Sequence, residues 1–501
     1  MNNPTRRGFL QVSAAAGAAG ESRRPNVLFI MADQFRADCL GVNGNKIIRT
    51  PNLDRLAAQS ANFTHTFVQA PVCVPSRISF FTGRYPHSHK NRVNYTPCDS
   101  REVMIAKILQ QAGYQTGSVG KLHFYPPTPE HARSTGFDRV LLDDGVAATD
   151  RFSDYVKWRK EHDPKARIHY NAPAQDRARG GNPFRAEIDY EFTPTAWTGA
   201  KSCEMLRELA SSPKPFFLFA SFFKPHAPHT VPVPFDSMYD DAEIPLPRRV
   251  TLDDIHRLPA PVQRLILRGK PEFDMDRERL QWTYRSYYGG ISMVDKEVGR
   301  ILEELERSGK AQDTIVIFAS DHGDLLLEHG LQGKNVFFEA SIRVPLLVRF
   351  PNRVPPAKRH ELVETIDVMP AILDLCGIPV PENCQGRSLA PREAVFAENI
   401  IPEVITGHGL DIPFVPGQGL GGIRHPDAKM VRTRRWKLNY YPDNGGELYD
   451  LENDPDEFRN LYTDPAHQGA AGELKGRILD WLITADENDQ IARRWRVTAG
   501  W

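Results

Sequence analysis

The sequence predicts an α/β protein: a large mixed, mostly parallel β-sheet sandwiched by helices, with a smaller C-terminal α+β subdomain. Short apolar segments of strand length alternate with helical segments between residues 26 and about 376. Such alternation is typical of a parallel sheet covered by helices on both faces. Polar side chains follow several of the apolar segments, and open sheets of this kind bind ligands at the carboxyl ends of their strands.

The predicted strands are short apolar runs, which favours strands buried on both faces. They cover residues 26–31, 115–119, 216–223, 314–319 and 345–350. Four of them are followed by polar groups, at Asp33, at 120–123, at 224–229 and at 321–322. Because the carboxyl ends of parallel strands meet at one edge of a sheet, we expect these groups to converge.

The predicted helices show amphipathic spacing or capping signals, with Pro51 at one start and Gly113, Gly309 and Gly377 at the ends. They cover residues 52–59, 102–112, 283–309 and 367–376. Residues 150–195 are polar and lack a clear period, so we expect an insertion there.

The alternation of apolar strand-length segments with helical segments ends at about residue 390. We predict a strand or hairpin over 429–441, turns over 445–454 and a terminal helix over 472–487. A Gly/Pro-rich stretch at 407–426 is long for a simple connection. The expected organisation is an N-terminal segment at 1–22 ahead of the fold, a large α/β domain at 23–389 and the α+β subdomain at 390–501.

Composition excludes several classes of protein. The 501 residues contain 63 Lys+Arg and 63 Asp+Glu, which gives no net charge. A nucleic-acid binder is normally basic, so we expect no nucleic-acid partner. No apolar run of about 18 residues occurs, so we expect no membrane span. Six cysteines are too sparse for a disulfide scaffold, although Cys376 and Cys384 could pair in an oxidising compartment.

The N-terminus resembles a twin-arginine export signal. Arg6 and Arg7 precede a mildly apolar stretch of small residues. We therefore expect a periplasmic or secreted protein that is exported by that route.

The segment around Cys73 carries the chemistry. By residue type alone, Cys73 is either a nucleophile at the start of a helix or a buried structural cysteine, and Arg77 could help to bind an anion there. The full pattern, Cys73-Val-Pro-Ser-Arg77 followed by Thr82-Gly83-Arg84, resembles the formylglycine-dependent sulfatases of the alkaline-phosphatase superfamily. The resemblance implies that a maturation enzyme oxidises Cys73 to formylglycine, whose hydrate is the nucleophile.

Other segments resemble the same family in the family's order along the chain, over about residues 25–465. They are Ala32-Asp33-Gln34, Gly120-Lys121-Leu122-His123, Lys224-Pro225-His226, Ser320-Asp321-His322-Gly323 and Gly333-Lys334. The resemblance implies that Lys121 and Lys334 hold sulfate oxygens and that Arg77 orients the hydrate. It also makes His226 the candidate acid for the leaving oxygen, and His123 the group that assists the second hydroxyl of the hydrate.

The resemblance implies a divalent cation held by Asp33, Gln34, Asp321 and His322 with an oxygen of residue 73. Mostly oxygen ligands favour Ca²⁺. Gln34 stands where many family members carry a second Asp, and the His322 nitrogen suits Mn²⁺ or Zn²⁺ better. Ca²⁺ is the expected ion, with Mn²⁺ or Zn²⁺ as alternatives.

The expected function is hydrolysis of sulfate monoesters, on a sulfated saccharide as substrate. An alternative is a phosphonate monoester or phosphodiester hydrolase of the same superfamily, because the pairs Asp33-Gln34 and Asp321-His322 also resemble that group. A rival from another class is a non-catalytic binder of sulfated sugars in which Cys73 is never converted. The intact set Lys121, His123, His226 and Lys334 argues against such a binder.

Overall fold

The computed structural model describes residues 24–144, 152–166, 182–268, 276–400, 427–442 and 444–498, without the side chains of 268 and 486–498. The strands are β1 Asn26–Asp33, β2 Ala61–Phe67, β3 Gln115–Gly120, β4 Arg139–Leu142, β5 Phe216–Pro225, β6 Thr314–Ser320, β7 Arg343–Arg349, β8 Ala357–Arg359, β9 Val363–Glu364, β10 Ala394–Ile400, β11 Asp427–Thr433, β12 Trp436–Tyr441 and β13 Gly445–Asp450.

The helices alternate with the strands in the first part of the chain and are rare in the second. They are α1 Pro51–Ala57, α2 Cys73–Thr82, α3 Pro86–His89, α4 Ile105–Gln111, α5 Pro129–Ser134, α6 Asp154–His162, α7 Pro194–Ala210, α8 Leu252–His256, α9 Ala260–Arg268, α10 Arg277–Arg307, α11 Glu339–Ile342, α12 Val368–Leu375 and α13 Gln468–Thr498.

The large sheet has the strand order β4-β3-β5-β1-β6-β7-β2-β8, with β9 beside β2. Strands β4, β3, β5, β1 and β6 run parallel. Strand β7 is antiparallel to both β6 and β2. This arrangement confirms the predicted mixed, mostly parallel sheet.

Alternate side chains of the central strands pack into two separate hydrophobic cores, one on each face of the sheet. Leu28 and Ile30 of β1 pack into the core that is covered by α1, α7 and α10. Val27 and Phe29 of the same strand pack into the opposite core, beneath α2, α4, α5 and α12. Burial on both faces explains why the central strands are nearly continuous apolar runs.

A second, antiparallel sheet, β10-β11-β12-β13, follows the large one. One of its faces packs against α13, through Leu474 and Trp481. Its other face joins a cluster that contains Phe67 of β2 and Val344 of β7. The smaller C-terminal sheet agrees with the predicted fold class, whereas a domain boundary near residue 390 stays a prediction.

Several local predictions were wrong. Residues 445–450 form β13 instead of turns, and two glycines in that strand are accommodated because the Tyr462 ring fills the space beside Gly446. Helix α6 was missed because residues 150–195 show no clear period in the sequence. Strand β2 was missed because its sequence, ANFTHTF, is largely polar. The stretch 407–426 lies outside the described residues.

Cys376 and Cys384 are free thiols in the structure. The Cys384 Sγ lies 3.6 Å from the carbonyl oxygen of Gly83. In the part of the chain that the structure describes, no helix is long and apolar enough to cross a membrane.

Packing between α7 and α10 depends on Gly199. A Cβ at this position would lie 1.9 Å from Glu297 Oε2, and Glu297 is held by Tyr190 and Arg300. Gly199→Ala should therefore lower the free energy of unfolding by about 1–3 kcal/mol, as overpacking usually does. Thermal and urea unfolding would measure this loss.

Gly476→Ala is the matched control, because a Cβ at this helical position meets nothing within 4 Å. It should leave stability unchanged or raise it by up to about 1 kcal/mol, through better helix propensity. Equal stability of the two variants would contradict the close packing of α7 on α10.

Candidate active site

The predicted site residues come together at the carboxyl edge of the large sheet. Strands β3, β5, β1 and β6 are consecutive neighbours in it, and each supplies side chains at or just beyond its end. They are Lys121 and His123 after β3, His226 after β5, Asp33 and Gln34 at the end of β1, and Asp321 and His322 after β6. Helix α2 brings Cys73 and Arg77 to the same edge.

Cys73 is the first residue of α2 and is buried. Its Sγ lies 3.1 Å from Lys334 Nζ and 3.2 Å from His322 Nε2. Burial alone would raise the pKa of the Cys73 thiol, but Lys334, Lys121 and His322 lower it well below its ordinary value. The surroundings of this side chain therefore stabilise negative charge at the predicted nucleophile position.

Arg77 binds the two acids of the site. Its Nε donates to Asp321 Oδ2 (2.7 Å) and its Nη2 to Asp33 Oδ2 (3.1 Å), while Nη1 donates to the Lys121 carbonyl (2.6 Å) and to Ser221 Oγ (3.0 Å). All these groups are buried. Arg77 therefore has a structural role, which is to hold both carboxylates. Its role in orienting the hydrate stays a prediction.

The donors of a possible metal site converge in front of Arg77. Single ligand atoms of Asp33, Cys73, Asp321 and His322 lie within 4.8 Å of one another. The Asp33 Oδ1 atom is buried and has no hydrogen-bond partner among the residues that the structure describes, so a cation would satisfy it. His322 Nδ1 lies 2.9 Å from the Gly323 carbonyl, which requires a proton on Nδ1 and leaves Nε2 free to bind a metal.

Gln34 borders this cluster. Its backbone adopts a left-handed φ of 66°. Its backbone N–H donates to Asp321 Oδ1 (3.1 Å). Its side-chain Oε1 accepts from Lys334 Nζ (3.0 Å). Two carboxylates, an amide oxygen and an imidazole nitrogen are donors that fit a divalent cation.

The cationic and imidazole groups surround Cys73 on its remaining sides. Lys121 Nζ lies 2.6 Å from Asp33 Oδ2, and Lys334 Nζ lies 3.0 Å from His226 Nε2. His226 Nδ1 lies 2.6 Å from the Ala227 carbonyl oxygen. Burial and the Lys334 ammonium lower the pKa of His226. The His123 side chain also lies against the Cys73 thiol and helps to lower its pKa.

Two buried or partly buried acids near the site were not predicted. Asp144 Oδ1 accepts the backbone N–H groups of Leu122 and His123, both at 2.9 Å. Asp324 accepts a hydrogen bond from the Gln34 side chain. Asp324 follows His322 by two residues, and this proximity was the available sequence signal, whereas Asp144 carried none.

This fold and this site define an enzyme of the alkaline-phosphatase-like α/β class, with a buried cysteine whose surroundings stabilise negative charge beside a possible metal-binding cluster. Comparisons with known proteins agree. The model of the sulfatase family matches residues 25–378, and that of the C-terminal region of N-sulphoglucosamine sulphohydrolase matches residues 424–483. The chain belongs to the sulfatase family. The predicted enzyme class, a sulfuric ester hydrolase, is confirmed.

Similar proteins differ in the substrate that their names state. An arylsulfatase of Clostridium perfringens is 32% identical over 93% of this chain and 95% of its own. A choline-sulfatase of Rhizobium meliloti is 30% identical over 95% and 91%, and an ulvan-active sulfatase of Formosa agariphila is 26% identical over 91% and 81%.

Among solved structures, a phosphonate monoester hydrolase from Silicibacter pomeroyi has a TM-score of 0.78 and 27% identity, covering 93% of this chain and 96% of its own. The family implies a metal ion and a formylglycine. The identity of the ion and the roles of single side chains stay predictions.

Asp33→Asn should weaken Ca²⁺ binding at least tenfold, because it removes one of the two carboxylates that balance the ion's charge. Elemental analysis and calorimetric titration of the purified protein would measure the loss. Asp38→Asn is the control, since Asp38 is bound to Arg36 outside the cluster. Wild-type metal content in Asp33→Asn would show that Asp33 is not a ligand.

Proposed function

We propose that the protein hydrolyses sulfate monoesters of a sulfated carbohydrate and that residue 73, matured to formylglycine, supplies the nucleophile. The observation that carries this proposal is the position of Cys73. It begins α2 within 3.2 Å of both Lys334 Nζ and His322 Nε2, beside the candidate metal donors. Cationic side chains and a bound cation next to residue 73 would stabilise negative charge on a hydroxyl of a hydrated formylglycine.

The bound ion and the formylglycine would supply, respectively, polarisation of a sulfate oxygen and a hydroxyl nucleophile. The residues of the chain hold the ester in place. Lys121 and Lys334 are compact cations on two sides of Cys73 and can bind the remaining sulfate oxygens. Their ammonium groups neutralise charge that grows on the sulfuryl group in the transition state, where electrostatic stabilisation contributes most.

The leaving oxygen needs a proton when the alcohol is a sugar hydroxyl. His226 Nε2 and Lys334 Nζ lie 3.0 Å apart, so the pair can hold one transferable proton between them at the substrate side of the site. Because Nδ1 of His226 faces the Ala227 carbonyl, only Nε2 can deliver it. His123, which lies against residue 73, can take a proton from the second hydroxyl of the hydrate.

A carbohydrate substrate is supported by two findings. The C-terminal match is to the model of a sulphohydrolase named for N-sulphoglucosamine, and one relative is named for activity on ulvan. Release of sulfate from a panel of sulfated saccharides, with a small aryl sulfate as reference, is the direct test. Turnover of aryl sulfate alone would contradict the carbohydrate assignment.

The second candidate is hydrolysis of phosphonate monoesters or phosphodiesters. It is favoured by the donor set Asp33-Gln34 with Asp321-His322 and by the structural likeness to the phosphonate monoester hydrolase. One matured preparation assayed on sulfate, phosphonate and phosphodiester esters would rank the activities by kcat/KM. A higher kcat/KM on phosphonate than on sulfate would replace the first proposal by this one.

The twin-arginine signal at Arg6 and Arg7 lies outside the described residues, and we propose export by that route. Replacing both with Lys should retain the protein in the cytoplasm of its host. Cell fractionation would show this, and normal export of the double variant would contradict it.

Cys73→Ala should abolish turnover while the protein stays folded, because it removes the nucleophile and only a small side chain. Steady-state kinetics and thermal unfolding are the measurements. Cys203→Ala is the matched control, since Cys203 is also buried but lies on α7, away from the site. Substantial activity in Cys73→Ala would exclude the proposed nucleophile, as would a Cys73 peptide that remains unmodified by mass spectrometry in an active preparation.

His226→Ala should lower kcat by orders of magnitude on substrates with poor, alkoxide leaving groups, and much less on aryl sulfates with good leaving groups. The reason is that only a poor leaving group needs the proton. Comparing kcat/KM along a series of leaving groups gives the dependence. An equal loss on all of them would show that His226 is not the acid.

A further inference from the structure

Asp324 is a fully buried carboxylate just behind the site. Its Oδ1 accepts the backbone N–H groups of Leu326 (2.9 Å) and Gly333 (3.0 Å), and its Oδ2 accepts from Gln34 Nε2 (2.5 Å). Among the described residues, only His229 lies within ion-pair distance, at 3.7 Å. Burial lowers the pKa of His229 to about 4, so that ring is neutral.

The contact with Asp324 decides which way the Gln34 carboxamide points. A carboxylate only accepts hydrogen bonds and an ammonium only donates them. Gln34 lies between the two, with Nε2 on Asp324 and Oε1 on Lys334 Nζ at 3.0 Å. A rotated carboxamide would place its oxygen against a carboxylate and its NH₂ against an ammonium. Asp324 thus determines that an oxygen faces Lys334 and the metal cluster.

Asp324 also closes the loop that carries Lys334. Its Oδ1 binds N–H groups near both ends of the segment 325–333. Within this segment Leu326, Leu327 and His329 have left-handed φ angles of 44°, 69° and 55°. Such conformations are unfavourable for residues other than glycine and persist only where other contacts impose them. The next residue, Lys334, reaches Cys73 Sγ.

We propose that Asp324 is a positioning residue of this site: its carboxylate fixes the Gln34 carboxamide and, through it and the loop 325–333, the ammonium of Lys334. The negative charge that Gln34 lacks as a metal ligand is supplied one side chain further away, on Asp324. This proposal concerns the site of the proposed function, but its tests do not require hydrolysis.

Asp324→Asn is the informative variant, because it keeps an oxygen for the two backbone N–H groups and turns an NH₂ group toward Gln34 Nε2. In its crystal structure, the contact between Gln34 Oε1 and Lys334 Nζ should be lost. Its Ca²⁺ affinity, measured by calorimetry, should fall about 10- to 100-fold, which is usual when the partner of a metal ligand is removed.

The double variant Gln34→Glu/Asp324→Asn should reverse these changes. The NH₂ group introduced at position 324 can donate to one oxygen of the carboxylate introduced at position 34, and the other oxygen can accept from Lys334. Gln34→Glu alone places two carboxylates against each other, so it should not reach the Ca²⁺ affinity of the double variant. The double variant should bind Ca²⁺ at least tenfold more tightly than Asp324→Asn and should regain the contact between residue 34 and Lys334. Such a recovery would distinguish a positioning role of Asp324 from a simple loss of stability.

Asp295→Asn is the matched control. Asp295 is buried and accepts the backbone N–H groups of Asn52 and Leu53 and the Asn52 carboxamide, so it has the same kind of contacts at a place remote from Cys73. It should lower stability without changing Ca²⁺ affinity.

Retention of the contact between Gln34 and Lys334 in Asp324→Asn would overturn the proposal, as would a double variant no better than the single one. Failure of the proposed function would show itself separately, as absence of sulfate release from the matured wild-type enzyme.

Discussion

The buried pairing of Arg77 with Asp33 and Asp321 is the interaction on which the rest of the site depends. The ligand oxygens of these two buried carboxylates lie within 4.8 Å of each other. Two such carboxylates repel each other, and protonation is favoured unless a positive charge lies between them. Burial alone would raise the pKa of Asp33, yet Lys121, His226 and Arg77 hold it well below the ordinary value. Asp33 therefore stays charged and available to a cation.

The same guanidinium also connects four strands to one helix. It reaches the ends of β1 and β6 through the two acids, the residue after β3 through the Lys121 carbonyl, and β5 through Ser221. Cys73 lies one helical turn before Arg77 on α2, so both side chains face the same way. Fixing Arg77 at the centre of the sheet edge therefore also fixes Cys73, the predicted nucleophile position, beside the candidate metal donors.

The family and the residues of the site answer different questions. Membership of the sulfatase family follows from matches along most of the chain, whereas selectivity between sulfate and phosphonate esters depends on charge within a few ångströms of the scissile bond. This site has two carboxylates, a neutral amide and an imidazole where an all-acid site would be more negative. The contact of Asp324 with that amide places a further carboxylate behind it. The deficit of negative charge at the site is therefore smaller than the metal-ligand set alone suggests.

The sequence by itself determined the fold class and the family, because apolar runs, helix stops and the segment from Cys73 to Arg84 are local patterns. Tertiary structure decided what depends on distant contacts. Strand β7 is antiparallel and the polar strand β2 lies beside it; Arg77 meets Asp321, 244 residues away, and Gln34 meets Lys334, 300 residues away. The orientation of the Gln34 amide is set by such partners. No periodicity or spacing along the chain encodes it, because hydrogen-bond direction is fixed only when donor and acceptor meet in the folded protein.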